Sequence, residues 1–166
     1  MLRTLLLIAL VLGLAAVGGW MAFVRHDRVA PPGEELLFDD FGFSVKGVQQ
    51  AKTFGPPERS VTATGTFWIV DLQVANHAKR VGYKLDSHQV AMVDESGTPI
   101  PESKGAEASL PPNPAEIAHG ETCITRHVFD VPESVRAPRL KIRFGDVGST
   151  LDYVLLGDWS LELRRL

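Results

Sequence analysis

From Thr4 to Val24 the chain carries no charged side chain, and 19 of its first 24 residues are apolar. This run constrains the fold more than any other feature. A bilayer core about 30 Å thick takes roughly 20 helical residues at about 1.5 Å each, and residues 5–24 supply that length. Arg3 precedes the run, and Arg25, His26 and Arg28 follow it. Residues 1–28 are therefore expected to form one transmembrane helix, a signal anchor with Leu5, Leu10, Leu14, Trp20 and Val24 in lipid. A cleaved signal peptide is the alternative, and its apolar region usually runs only about 7–15 residues. Ala16-Val17-Gly18 is an acceptable cleavage site, but Trp20, Met21 and Phe23 stand where small residues are expected. No Cys follows the run, which excludes a lipid-modified N-terminal cysteine. Counting positive charges gives a tie between Arg3 with the amino group and Arg25 with Arg28. The short tail ahead of the span favours an N-terminus inside and the remainder exported. Ala15, Gly19 and Ala22 would let two such helices approach closely, the route to a homo-oligomer.

The remaining chain has an ordinary soluble composition. Beyond residue 28 there are 14 Lys+Arg against 19 Asp+Glu, a balance that argues against a nucleic-acid partner, which needs positive charge to displace counterions. Its length suits one domain with a sizeable core. The single cysteine, Cys123, rules out an internal disulfide, a zinc ribbon and a CxxC redox site.

Residues 29–38, with Pro31-Pro32-Gly33, read as a linker. From there the pattern has period two. Phe41, Phe43 and Val45 alternate with polar or small residues, and Thr66 to Asn76 is the strongest strand, with Trp68, Val70, Leu72 and Val74 on one apolar face. Phe67 and Ile69 lie on the other face beside Asp71 and Gln73, so the strand's beginning is a candidate for cover on both sides. Val90 to Val93 is a short apolar run ending in Asp94-Glu95-Ser96-Gly97, which suits a type I turn. Residues 102–118 read as a long loop, either a binding loop or a disordered one. Glu121 to Val131 returns to strand and stops at Pro132; Arg139 to Phe144 alternates again, and Leu151 to Leu156 and Trp159 to Leu163 finish the chain. No soluble helix is expected. The fold class is all-β: an immunoglobulin-like antiparallel β-sandwich of seven or eight strands over residues 39–166, preceded by one transmembrane helix.

The order of short motifs carries a family resemblance. Gly65-Thr66-Phe67, Val70-Asp71 and Val74-Ala75-Asn76 are followed by Val93-Asp94 with Gly97, then Gly120-Glu121, Val128-Phe129-Asp130-Val131-Pro132, and Leu140 with Ile142. This series resembles a bacterial domain-of-unknown-function family of anchored or secreted immunoglobulin-like sandwiches related to mycobacterial immunoprotective extracellular antigens. The resemblance spans residues 41–145 and implies an extracytoplasmic sandwich; it brings no catalytic residues. Many such proteins are anchored through a lipidated cysteine, which is absent here. In physical terms, Asn76 suits a turn or a left-handed position, Gly97 and Gly120 suit positive φ, Phe129 is a core candidate, and Pro132 ends pairing for want of an N–H.

Four constellations are candidates for chemistry or binding. His119, Cys123 and His127 fall at i, i+4 and i+8. On a helix they would share a face, but on a strand the outer two stand about 26 Å apart, too far for one ion. A buried cysteine with exposed histidines is the expected outcome, a copper or zinc carrier the alternative, and no cofactor or metal is assigned. Asp39-Asp40 and Asp94-Glu95 are adjacent carboxylates whose side chains would point to opposite faces of a strand; a solvated linker and a turn are expected. With no GxSxG, HExxH or phosphate loop, no catalytic role is expected. Arg139, Lys141 and Arg143, joined by Arg136, form a basic row. It is either a surface for anionic lipid or an acidic partner, or an edge whose charges discourage aggregation. The candidate partner face is Phe67, Ile69, Arg139, Lys141 and Arg143. The expected function is a non-catalytic, membrane-tethered binding or assembly module whose partner is an envelope protein or cell-wall component, or else a purely structural envelope protein.

Overall fold

The computed structural model describes residues 28–144 and 149–154. The N-terminal apolar run and the strand expected at residues 159–163 lie outside the described residues. Nine strands are present among those described: β1 (Arg28–Ala30), β2 (Leu36–Phe38), β3 (Phe41–Phe54), β4 (Val61–Asn76), β5 (Val90–Val93), β6 (Pro99–Ile100), β7 (Thr122–Val131), β8 (Arg139–Phe144) and β9 (Ser149–Val154). They form a five-stranded sheet in the order β1-β9-β8-β5-β6 and a four-stranded sheet in the order β2-β3-β4-β7. Every pair is antiparallel except β1 with β9, which is parallel. The chain changes sheet from β1 to β2, from β4 to β5, from β6 to β7 and from β7 to β8, so the two sheets are laced together into a sandwich. Among the described residues no helix is long and apolar enough to cross a membrane.

The core lies between the inner faces. Phe43 and Val45 of β3, Trp68, Val70, Leu72 and Val74 of β4, and Phe129 and Val131 of β7 meet Val90 and Met92 of β5 and Leu140 and Ile142 of β8. Burying each such side chain contributes about 1.5–3 kcal/mol. The alternation read along β4 and β8 is therefore the alternation seen, and β7 ends at Val131 where Pro132 removes a donor. Gly97 and Gly120 have φ of 87° and 74°, as their turns require, and the Gly97 amide closes its turn on Asp94 O at 3.1 Å.

Three expectations need correction. The stretch read as a linker, residues 29–38, instead carries β1 and β2, one in each sheet, and the Gly33 amide bonds Val45 O at 2.8 Å. Prolines there are tolerated because they sit in the turn between two edge strands. Asp39-Asp40 is likewise the β2–β3 turn, with Asp39 at φ 54°. The long loop also folds. A one-turn helix α1 (Lys104–Glu107), capped by the Ser103 hydroxyl, lies over the outer face of the four-stranded sheet. There Ala106 joins Phe67, Ile69 and Val128 in a second core flanked by Ala51, Phe54, Val61, Ala63 and Leu110.

The connection from β4 to β5 caps one end of the sandwich. Tyr83 packs at a tilt against Phe41 with ring centres 4.3 Å apart, meets Phe43 edge-on, and donates to Gln89 Oε1 at 3.2 Å. Burial pushes its hydroxyl up to about 12. Its neutral form is thus favoured in the folded state, which binds more protons than the unfolded chain between about pH 10 and 12. Stability should fall as pH rises through that window, and Tyr83→Phe should remove that part of the slope in urea unfolding measured from pH 9 upward. Phe67→Ala should cost about 3–5 kcal/mol, as expected for a core phenylalanine; an unchanged unfolding midpoint would instead mean that this ring is a surface group.

Candidate functional site

The polar groups at the heart of the sandwich come from β7. Thr125, His127, Phe129 and Val131 share its inward face, opposite Leu72, Val70, Trp68 and Thr66 of β4. His127 is only 2 % exposed, which corrects the expectation of a surface histidine. Its Nδ1 meets Glu102 Oε1 at 2.5 Å and its Nε2 meets Thr125 Oγ1 at 3.0 Å, while the Thr125 hydroxyl donates to Leu72 O at 3.3 Å. Glu102 arrives from the segment after β6, which bridges to Phe129 and donates the Ser103 amide to Val128 O.

Carboxylate, imidazole and hydroxyl in this order are the elements of a nucleophilic relay. Here Thr125 is 1 % exposed, so its hydroxyl is shielded from solvent. The trio satisfies its own polar groups: a buried donor without a partner costs about 1–3 kcal/mol, and Glu102 provides that partner while joining the crossing segment to β7. Nothing local announces the pairing, since Glu102 and His127 are 25 residues apart. His119 precedes the strand and Cys123 sits half-buried opposite Val74, where burial pushes its thiol up. Among the described residues no three His, Cys, Asp or Glu side chains are grouped to hold an ion.

The candidate partner face does not form one surface. Phe67 and Ile69 are 1 % and 7 % exposed beneath α1, because β4 needs cover on both sides. Arg139, Lys141 and Arg143 lie on the outer face of the other sheet, on β8, which is central between β5 and β9 and so guards no edge. Lys141 is in register with Asp152. Arg136 belongs to the β7–β8 loop, where its amide and that of Ala137 donate to Glu95 Oε1. The amides of Glu95 itself, Ala137 and Arg136 hold this carboxyl below the usual range. Asp94 Oδ1 accepts from Ser96 N and Thr98 N, both at 2.8 Å, so Asp94-Glu95 is the turn the sequence suggested.

Two surface depressions bear on the candidate residues. The larger, about 520 Å³, is lined by Thr64, Gly65, Asp130, Pro132 and Glu133. Its polar groups are already engaged: Asp130 accepts the Thr64 and Gly65 amides at 2.8 and 2.9 Å, and Lys52 Nζ reaches Gly65 O and Glu133. A Cβ on Gly65 would fall 2.1 Å from Val131 O, which explains glycine at that motif position. The smaller, about 180 Å³, lies among Pro111, Pro112, Pro114 and the exposed Ile124, beside a two-pronged Arg126–Asp71 pair at 2.6 and 2.9 Å. Asn76, read as a turn residue, is also a hub: its Nδ2 donates to Val81 O and Ile117 O, and its Oδ1 accepts the Ala78 amide, with no positive φ.

Glu102→Ala should loosen the crossing segment without unfolding the sandwich. Loss of about 1–3 kcal/mol predicts roughly 5- to 150-fold faster amide exchange at Ser103 and Ala106, with Leu72 and Val74 protected as before. Equal protection at all four positions would show that the pairing holds nothing in place.

No protein-family model and no curated protein matches the chain. Solved structures do. The secreted protein MPT63 of Mycobacterium tuberculosis is 16 % identical, with a TM-score of 0.56 over 80 % of this chain and 99 % of that one. The yjhA protein of Bacillus subtilis is 11 % identical, with a TM-score of 0.56 over 76 % of this chain and 98 % of that one. An uncharacterized β-sandwich protein of Clostridium difficile is 16 % identical, with a TM-score of 0.51 over 80 % of this chain and 96 % of that one. At the level of fold, then, the chain is a β-sandwich similar to a mycobacterial secreted protein and to bacterial sandwiches without an assigned role.

Proposed function

We propose that the chain is a membrane-tethered, extracytoplasmic, immunoglobulin-like binding or assembly module without catalytic activity. The observation that carries this reading is the short step from the uncharged run to the sandwich: Val24 ends the run, and β1 begins at Arg28. The likeness to a secreted mycobacterial protein supports an exported domain. The topology supports the immunoglobulin-like assignment, because three strands, β3, β4 and β7, face a sheet in which β5, β8 and β9 are consecutive neighbours reached by two crossovers. A non-catalytic role is supported by the engagement of the polar clusters within the fold, the Glu102–His127–Thr125 trio and the Asp130–Lys52 turn above all. The partner is an envelope protein or cell-wall component.

Protease treatment of intact spheroplasts, followed with an antibody to the C-terminus, tests the topology. Digestion of a full-length species that stays in membranes after an alkaline wash is the expected result. Protection until lysis would place the domain inside the cell and overturn the reading. A shortened species in the medium would replace the anchor by a cleaved signal.

A further inference from the structure

The register of the five-stranded sheet shows which end of the sandwich lies nearest the uncharged run. Arg28 pairs with Leu151, Leu151 with Ile142, and Ile142 with Val90, so these four residues form one rung across the sheet. Strands are about 4.8 Å apart, which puts Val90 roughly 14 Å across the sheet from Arg28. Four residues from Val24 to Arg28 reach at most about 14 Å. The β4–β5 connection, residues 77–89, leads directly into Val90 and closes this same end over Phe41 and Phe43. The β7–β8 loop lies at the other end, because Val131 pairs with Thr66, ten residues back along β4 from Asn76 and about 33 Å away.

That connection has an unusual surface. Lys79, Arg80 and Lys84 are exposed, and no ion pair engages them among the described residues. Between them Val81 is 55 % exposed, with its carbonyl held by Asn76 Nδ2 so that the apolar side chain stays outward. Leu37, 49 % exposed, pairs with Gly42 at the same end. Acidic groups border the loop: Asp39, Asp40 and Glu121 are exposed nearby, the Glu116 carboxylate lies over Gly82, and Asp86 Oδ1 is occupied by the His88 amide. Glu35 engages His77 of the same connection at 3.2 Å, so among the described residues the cations left without a carboxylate partner on the loop are Lys79, Arg80 and Lys84. Of the row on β8, only Arg143 approaches this end, one rung beyond Ile142.

We propose that residues 79–84 are a second membrane contact, with Val81 entering the headgroup boundary and Lys79, Arg80 and Lys84 on anionic phospholipid of the bilayer that holds residues 5–24. Cations near an anionic leaflet are attracted over about a Debye length, roughly 8–10 Å, and a short tether keeps them in that range. The contact rests on the tethered reading and adds an orientation to it: the sandwich stands with the β4–β5 connection against the membrane and the β7–β8 loop outward.

The test uses the full chain in nanodiscs that contain a nitroxide-headgroup lipid, with a fluorophore on Val81→Cys in a Cys123→Ala background. In phosphatidylglycerol discs the probe should be quenched; in phosphatidylcholine discs quenching should drop, and K79E/R80E/K84E should abolish it without changing the unfolding midpoint. A probe on Ser134→Cys should be unquenched in both. Absence of quenching at Val81 in phosphatidylglycerol discs that retain the protein overturns the contact and leaves the tether standing. Equal quenching in the charge-reversed variant overturns the role of the cations. A chain that does not stay with the discs overturns tether and contact together.

Discussion

Strand β4 is apolar on both faces over residues 67–70, and the rest of the molecule is arranged to keep water from both. Trp68 and Val70 need the opposite sheet; Phe67 and Ile69 need something on the outside. A β-sandwich supplies the first cover as a matter of architecture. The second has to be recruited, and the long excursion between β6 and β7 is what supplies it. Gly105 comes so close to β4 that a Cβ there would meet Val61 at 3.1 Å, and Ala106 is completely buried. The composition of the excursion, rich in small residues and proline, is that of a strap lying flat against a sheet.

Such a strap contains little regular structure of its own and must be fastened at intervals. Glu102 does so at one end through His127, and Ile117 does so at the other through a bridge to Tyr83 and the Asn76 amide. The buried polar residues of the sandwich are thus fastenings between segments distant in sequence. Their arrangement imitates a catalytic relay because a carboxylate, an imidazole and a hydroxyl satisfy one another inside a core as readily as they do in an active site. Here both the hydroxyl and the imidazole are buried.

The same economy underlies the orientation proposed for the domain. Residues 28–30 are already a strand, so only residues 25–27 lie along the chain between Val24 and the sheet. The end next to the uncharged run holds two of the three large apolar side chains exposed among the described residues, Leu37 and Val81. Ile124, the third, lies on the outer face of β7 beside the proline strap, where it is available to a different partner.

The sequence alone determined the period-two faces of β4 and β8, the stop at Pro132, the turns at Gly97 and Gly120 and the uncharged run, because each is encoded within a few neighbouring residues. It also marked Phe67 and Ile69 as misplaced on a polar face. Only tertiary structure decided what those two residues meet, that His127 points inward, that Glu102 joins it across 25 residues, and that residues 28–30 and 36–38 are strands. The physical reason is common to all four. Strands of three residues and pairings across a sandwich are stabilised by partners supplied from elsewhere in the chain, and no local pattern records which partner that will be.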